Sequence, residues 1–150
     1  MYRDRLEELR ENNNLKMREV SKILNLSIDA YGQYEREYYV FPIKHLNTVC
    51  NYFDVSLDYI FSFTDDKQYF NSKKDIDKIL SGKRIRELRR ELKYSQSMFA
   101  DIMNSSYGTI AGYEKGRYII ATPFLYTICK KYGISADYLL GKIDEPKSYK

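Results

Sequence analysis

Ser95-Gln96-Ser97-Met98-Phe99-Ala100-Asp101-Ile102-Met103-Asn104-Ser105-Ser106-Tyr107-Gly108-Thr109-Ile110-Ala111-Gly112-Tyr113-Glu114-Lys115-Gly116 is the stretch on which the fold turns. Apolar residues at Phe99, Ala100, Ile102 and Met103 face inward at helical spacing. Ser95 stands where an N-cap belongs. Asn104-Ser105-Ser106 breaks the pattern with a short turn, and Ser106 caps a second helix that runs to Glu114. Two helices that cross steeply need a small residue where they touch, and Ala100 sits there. A tight turn between them needs a residue that tolerates the left-handed conformation, and Asn104 does. Ile110 anchors the second helix to a core, which leaves its first turns and outer face free.

The pattern extends in both directions. Upstream, Ile85, Leu88 and Leu92 keep helical spacing. Downstream, Pro123 suits a first helical turn and precedes the stripe Leu125, Ile128, Cys129 and Tyr132. Gly133 ends that helix. Ser135 then caps a last short one holding Tyr138, Leu139 and Leu140, which Gly141 stops.

The same plan occurs twice. Shifted by 79 residues, Arg5–Phe61 aligns without a gap on Arg84–Leu140, with 16 identities in 57 pairs. Among them are Arg10/Arg89, Asn25/Asn104, Ser27/Ser106, Glu35/Glu114, Cys50/Cys129 and Tyr59/Tyr138. Many other pairs exchange one apolar residue for another, such as Val20/Phe99, Val49/Ile128, Val55/Ile134 and Ile60/Leu139. A long period present only twice is a duplicated domain rather than a solenoid. Each copy holds about 60 residues, near the lower limit for a self-sufficient core. In the first copy Ser21 and Tyr31 take the places of Ala100 and Ile110, and Pro42 marks the entry to the fourth helix. The expected architecture is all-α, with two tandem five-helix domains over residues 1–64 and 83–142. Residues 65–82 read as a linker, part helical through Ile76, Ile79 and Leu80, with Gly82 as a joint. Residues 143–150 read as a flexible tail.

The Ser95–Gly116 segment resembles the helix-turn-helix of the XRE/Cro-like family of phage and bacterial repressors. Gly133-Ile134-Ser135-Ala136-Asp137-Tyr138-Leu139-Leu140-Gly141 is similar to that family's end signature. The resemblance covers both copies and implies two lambda-repressor-like domains that place a helix in the major groove of double-stranded DNA. Carried over position by position, it implies DNA contacts at Gln96, Ser106, Tyr107, Gly108, Gly112, Lys115 and Arg117, with Thr109 beside them. In the first copy the matching positions are Met17, Ser27, Ile28, Asp29, Gln33, Arg36 and Tyr38. The copies differ here: Met17 replaces the family's Gln, and Asp29 sits on the groove face. An aspartate is repelled by phosphates, although it can accept from cytosine N4. Gly108 and Gly112 carry no side chain to read a base and allow close approach of the helix. The resemblance also implies ion pairs beneath the helix-turn-helix, Arg10 with Glu35 and Arg89 with Glu114.

Charge divides the same way. Residues 1–64 hold 8 Lys/Arg and 10 Asp/Glu, whereas residues 83–150 hold 13 and 7. A basic half suits a polyanion. The function expected from these readings is a sequence-specific DNA-binding transcriptional regulator of the phage or mobile-element repressor type, with the second head binding DNA more strongly. The alternative is a protein-binding module, an antitoxin or inhibitor that holds a protein partner through the first head. A homodimer would suit palindromic sites.

Chemistry for an enzyme is not arranged in the sequence. His45 is the one histidine and aligns with Phe124, a packing position. Metal-ligand spacing, Cys-x-x-Cys and a Gly-rich phosphate loop are all lacking, and Ser81-Gly82-Lys83 has no preceding glycine of a P-loop. Thus no cofactor or metal is called for. Cys50 and Cys129 read as one buried thiol per copy. No apolar run approaches the ~20 residues of a membrane span, nor is there a signal-peptide stretch, so a cytoplasmic location is expected.

Overall fold

A computed structural model describes all 150 residues. Ten helices form, with no sheet and one isolated bridge. The chain divides into two compact units, Met1–Phe70 and Asn71–Lys150. The first contains α1 (Arg3–Asn12), α2 (Met17–Ile23), α3 (Ile28–Glu35), α4 (Ile43–Phe53) and α5 (Leu57–Ile60). The second contains α6 (Lys78–Glu91), α7 (Gln96–Ile102), α8 (Tyr107–Glu114), α9 (Thr122–Tyr132) and α10 (Ala136–Leu139). No helix is long and apolar enough to cross a membrane.

Local chemistry sets the helix ends. Ser27, Ser56, Ser95, Ser106 and Ser135 each accept a bond from the backbone N–H three residues on. Each thereby satisfies one of the orphan donors at a helix start. Asn25 and Asn104 take the left-handed conformation in the turns after α2 and α7, at φ 55° and 52°. Asp54 and Gly133, equivalent positions, end α4 and α9 in that same region.

The cores follow the stripes. Leu6, Val20, Tyr31, Leu46, Val49, Cys50 and Ile60 are buried in the first unit; Ile85, Phe99, Ile110, Leu125, Ile128, Cys129 and Leu139 are buried in the second. Both cysteines are free thiols. Ser21 and Ala100 are buried at the helix crossings as expected. Ile102 is not inward: it is exposed, as is its counterpart Ile23. Met103 lies four residues from Phe99 and completes the buried stripe, so the helical period turns Ile102 outward.

Gly82 is no joint. It lies within the unbroken α6, where a side chain has no room: a Cβ there would stand 2.5 Å from the Tyr113 carbonyl oxygen and 2.7 Å from that of Glu114. The missing side chain lets α6 press directly on the end of α8.

The linker and tail are parts of the repeat. Arg5 donates to the carbonyls of Tyr59 and Thr64 and to Asp65 Oδ1. Arg84 donates to the carbonyls of Tyr138 and Ile143 and to Asp144 Oδ1. Each guanidinium also lies over a tyrosine ring, Tyr59 or Tyr138, at 4.2 and 4.0 Å from the ring centre. Asp65 and Asp144 keep the 79-residue offset. Beyond them one residue is inserted, and Lys67 and Tyr69 correspond to Lys147 and Tyr149. The Ser56 N–H donates to the Lys67 carbonyl, and the Ser135 N–H to that of Lys147. Residues 143–150 are therefore held against the second unit rather than loose. Ile143 is buried, Ser148 Oγ donates to the Gly133 carbonyl, and the Tyr149 hydroxyl donates to that of Cys129.

Candidate nucleic-acid interface

In each unit a short helix, a tight turn and an eight-residue helix form the helix-turn-helix: α2 and α3, then α7 and α8. Tyr31 and Ile110 are fully buried and fasten α3 and α8 to their cores. The outer faces stay open.

Beneath each pair lies an ion pair. Arg89 Nε and Nη2 meet Glu114 Oε2 and Oε1 at 2.8 and 2.9 Å, while Nη1 donates to the Tyr94 carbonyl at 2.9 Å. Arg10 Nε and Nη2 meet Glu35 Oε1 and Oε2 at 2.7 and 3.2 Å, while Nη1 donates to the Leu15 carbonyl. These bidentate contacts tie α6 to α8 and α1 to α3. Hydrogen bonding to the carboxylate is the main influence on each guanidinium, holding its pKa above the ordinary arginine value.

A third donor completes each carboxylate, and it differs between units. In the second, Gln96 Nε2 donates to Glu114 Oε1 at 3.2 Å. In the first, with Met17 at the glutamine position, the Tyr31 hydroxyl donates to Glu35 Oε1 at 2.8 Å. Burial, then the charge of Glu35, pushes the Tyr31 phenol well above its usual pKa. Sequence reasoning missed this bond. A tyrosine four residues before a glutamate on one helix was its available signal.

The expected contact residues fall into three groups. Tyr107, Gly108, Lys115 and Arg117 are exposed on or just beyond α8, and nothing lies within 4 Å of the Cβ position at Gly108. Ser106 and Thr109 are instead tied into the helix start, their hydroxyls 2.8 Å apart, and Gln96 turns its amide inward to Glu114. Gly112 is buried, which corrects the expectation of a bare glycine on the groove face. The Tyr118 ring edge sits where its Cβ would be, at 2.6 and 2.7 Å.

In the first unit, Ile28, Asp29, Gln33 and Arg36 are exposed, and Ser27 caps α3. Arg36 folds back along α3 instead of reaching outward. Its guanidinium lies 3.8 Å from Met17 Sδ and 3.1 Å from the Cβ position of Gly32. The result is a shallow depression of 280 Å³ lined by Met17, Ile28, Asp29, Gly32, Gln33, Arg36 and Tyr38.

Two curated relatives from Bacillus subtilis strain 168 are similar to parts of this chain. The uncharacterized HTH-type transcriptional regulator YobD is 32% identical over 80 residues, 53% of this chain and 71% of the relative. The HTH-type transcriptional regulator ImmR is 33% identical over 66 residues, 44% of this chain and 52% of the relative. No solved structure gives a significant match. The helix-turn-helix domain family matches residues 4–65 and again 82–145, the two units whose geometry is described above. The chain belongs to the helix-turn-helix domain family, in its XRE-type form, and carries two copies of the domain.

Proposed function

We propose that this protein is a sequence-specific, double-stranded-DNA-binding transcriptional regulator, a repressor of the phage or mobile-element type, in which the second unit supplies most of the DNA affinity. The carrying observation is the outer face of α8. Tyr107 and Gly108 stand open at its first turn, and the exposed Lys115 and Arg117 follow its end without ion-pair partners. A helix so placed meets base edges with its first turns, while cations beyond its end meet phosphates. The names of both relatives as transcriptional regulators agree with this. A homodimer would align two such faces with a palindromic site.

Variants of the full chain test the division of labour. Arg117→Ala weakens binding to all duplexes alike and lowers the dependence of log K on log salt by about 1. Arg36→Ala, which removes a cation already folded onto α3, changes that slope little. Fluorescence anisotropy titrations over a salt series read both. A larger slope change for Arg36→Ala would reverse the assignment.

A second reading concerns the first unit alone. Its depression carries Met17, Ile28 and Tyr38 where the second unit carries Gln96, Tyr107 and Arg117. That lining suits a protein partner, as in an antitoxin or inhibitor. Ile28→Ser, which removes the apolar side chain without adding charge, would then weaken capture of that partner while leaving duplex binding by the full chain little changed.

A further inference from the structure

The outer stripe of α8 is bare of its own side chains. Gly108 and Gly112 stand four residues apart, on one face of the helix. The first opens on empty space. The second is covered by the edge of the Tyr118 ring, with Cδ2 and Cε2 at 2.6 and 2.7 Å from the Cβ position. Any side chain at residue 112 would evict that ring. Tyr118 nevertheless remains 61% exposed, so the rest of the ring is open to a partner. The first unit is built differently. The equivalents of Gly108 and Gly112 are Asp29 and Gln33, which bring side chains of their own, and Tyr39 takes the place of Tyr118.

The geometry points to Tyr118 as a specificity-determining residue of the second unit: seated on Gly112, its ring is the side chain that α8 presents to the groove at that point, where it packs on the C5 methyl of a thymine. This inference rests on the DNA-binding reading above. Beyond Tyr107, the stripe through Gly108 and Gly112 offers no side chain of its own to a base edge, and sequence is read by hydrogen bonds and apolar contacts to base edges. An aromatic ring held on the helix surface restores one such contact. Thymine's methyl is the apolar group that the major groove offers. Packing against Gly112 holds the ring in place, which reduces the ordering needed when it binds.

The test uses the full chain and a pool of random duplexes. Wild type selects a motif containing a thymine, and replacing that thymine by uracil, which lacks only the methyl, weakens binding about fourfold, the worth of one buried methyl-sized group. Tyr118→Ala becomes indifferent to the uracil exchange at that position and keeps the rest of the motif. Gly112→Ala, which retains the tyrosine but displaces it, shows the same indifference. Phe70→Ala, which removes a 91% exposed ring of the first unit outside its helix-turn-helix, keeps the fourfold effect. Thermal melts confirm folding, and Gly112→Ala carries the test independently should Tyr118→Ala fold poorly. Equal loss on all duplexes in Tyr118→Ala would make it a phosphate contact and overturn the proposal, as would an unchanged response to uracil. A wild-type chain that binds no duplex would instead sink the DNA-binding reading, and this inference with it.

Discussion

Gly82→Ala should destabilise the second unit, although alanine is the better helix former. Gly82 lies inside α6, where exchanging glycine for alanine ordinarily gains about 1 kcal/mol. Here the added methyl would meet the carbonyl oxygens of Tyr113 and Glu114 at 2.5 and 2.7 Å, and the Glu114 carbonyl carbon at 3.0 Å. Carbon-to-oxygen contacts of this kind settle at about 3.3–3.6 Å. So α6 and α8 must separate by roughly 1 Å at this point, and backbone atoms cannot rotate aside as a side chain would. Overpacking typically costs about 1–3 kcal/mol, and the rigid neighbours place this case at the upper end. Against the propensity gain the net loss is about 2 kcal/mol. For a unit of this size each kcal/mol moves the midpoint by about 4–8 °C, so the expected fall is about 8–16 °C. Calorimetry of the full chain reads it, with the transition of each unit resolved separately. Gly108→Ala is the control: it sits on α8 with nothing near its Cβ position, and it should hold or raise the same midpoint. A Gly82→Ala midpoint at or above wild type would refute the close packing and restore Gly82 as a simple joint. On the proposed reading, in which α8 enters the groove, DNA affinity should fall with stability, because Tyr113 and Glu114 end that helix.

Two further predictions concern the buried polar groups. Arg89→Ala strands a carboxylate that is 3% exposed, so it should cost about 3–5 kcal/mol, whereas the exposed Arg86→Ala should stay within about 0.5 kcal/mol; equal urea midpoints for the two would dismiss Arg89 as an internal brace. Tyr31 has a folded pKa raised above its ordinary 10.0 by burial and by Glu35. The folded first unit thus keeps a proton that the unfolded chain releases. That contribution is complete below about pH 10 and is lost as the pH climbs toward the folded value. Tyr31→Phe should flatten the alkaline decline of the first unit's melting point, leaving the share of Tyr2, another phenol raised by burial; parallel declines in mutant and wild type would show that Tyr31 does not titrate in this way.

What the sequence revealed was whatever depends on local chemistry and on period. Serine caps, left-handed asparagines and apolar stripes are local rules, and the duplication repeats each of them at a fixed offset. Three features lay beyond that reach. The one-residue insertion after Asp65 and Asp144 hid the correspondence of Tyr69 with Tyr149, so parts of the repeat read as linker and tail. The glycines at 82 and 112 looked alike as flexible or bare positions, and only the neighbouring element shows that one accommodates a helix and the other a tyrosine ring. Gln96 matched a DNA-contact position by resemblance, yet its amide also serves Glu114. Nothing in the spacing shows that one side chain can be shared between a brace and a surface.

The two copies complete their buried carboxylates from different places. A buried carboxylate must be paired and hydrogen-bonded to be tolerated. The guanidinium fork of Arg10 or Arg89 satisfies most of it, and a third donor completes it. In the second unit that donor is Gln96, at the start of α7. In the first unit position 17 is a methionine, which cannot donate, and the vacancy is filled from inside α3 by Tyr31, where the second unit has Ile110. The two differences are complementary: where position 17 cannot donate, a buried phenol supplies the bond that Gln96 supplies in the other unit. Position 17 then has no remaining duty to the brace. Met17 packs beside the folded-back Arg36, and the outer face of the first unit is more apolar there without loosening the helix beneath it. The second unit has no such freedom, because Gln96, which the resemblance sets among the DNA contacts, is also bound to its brace.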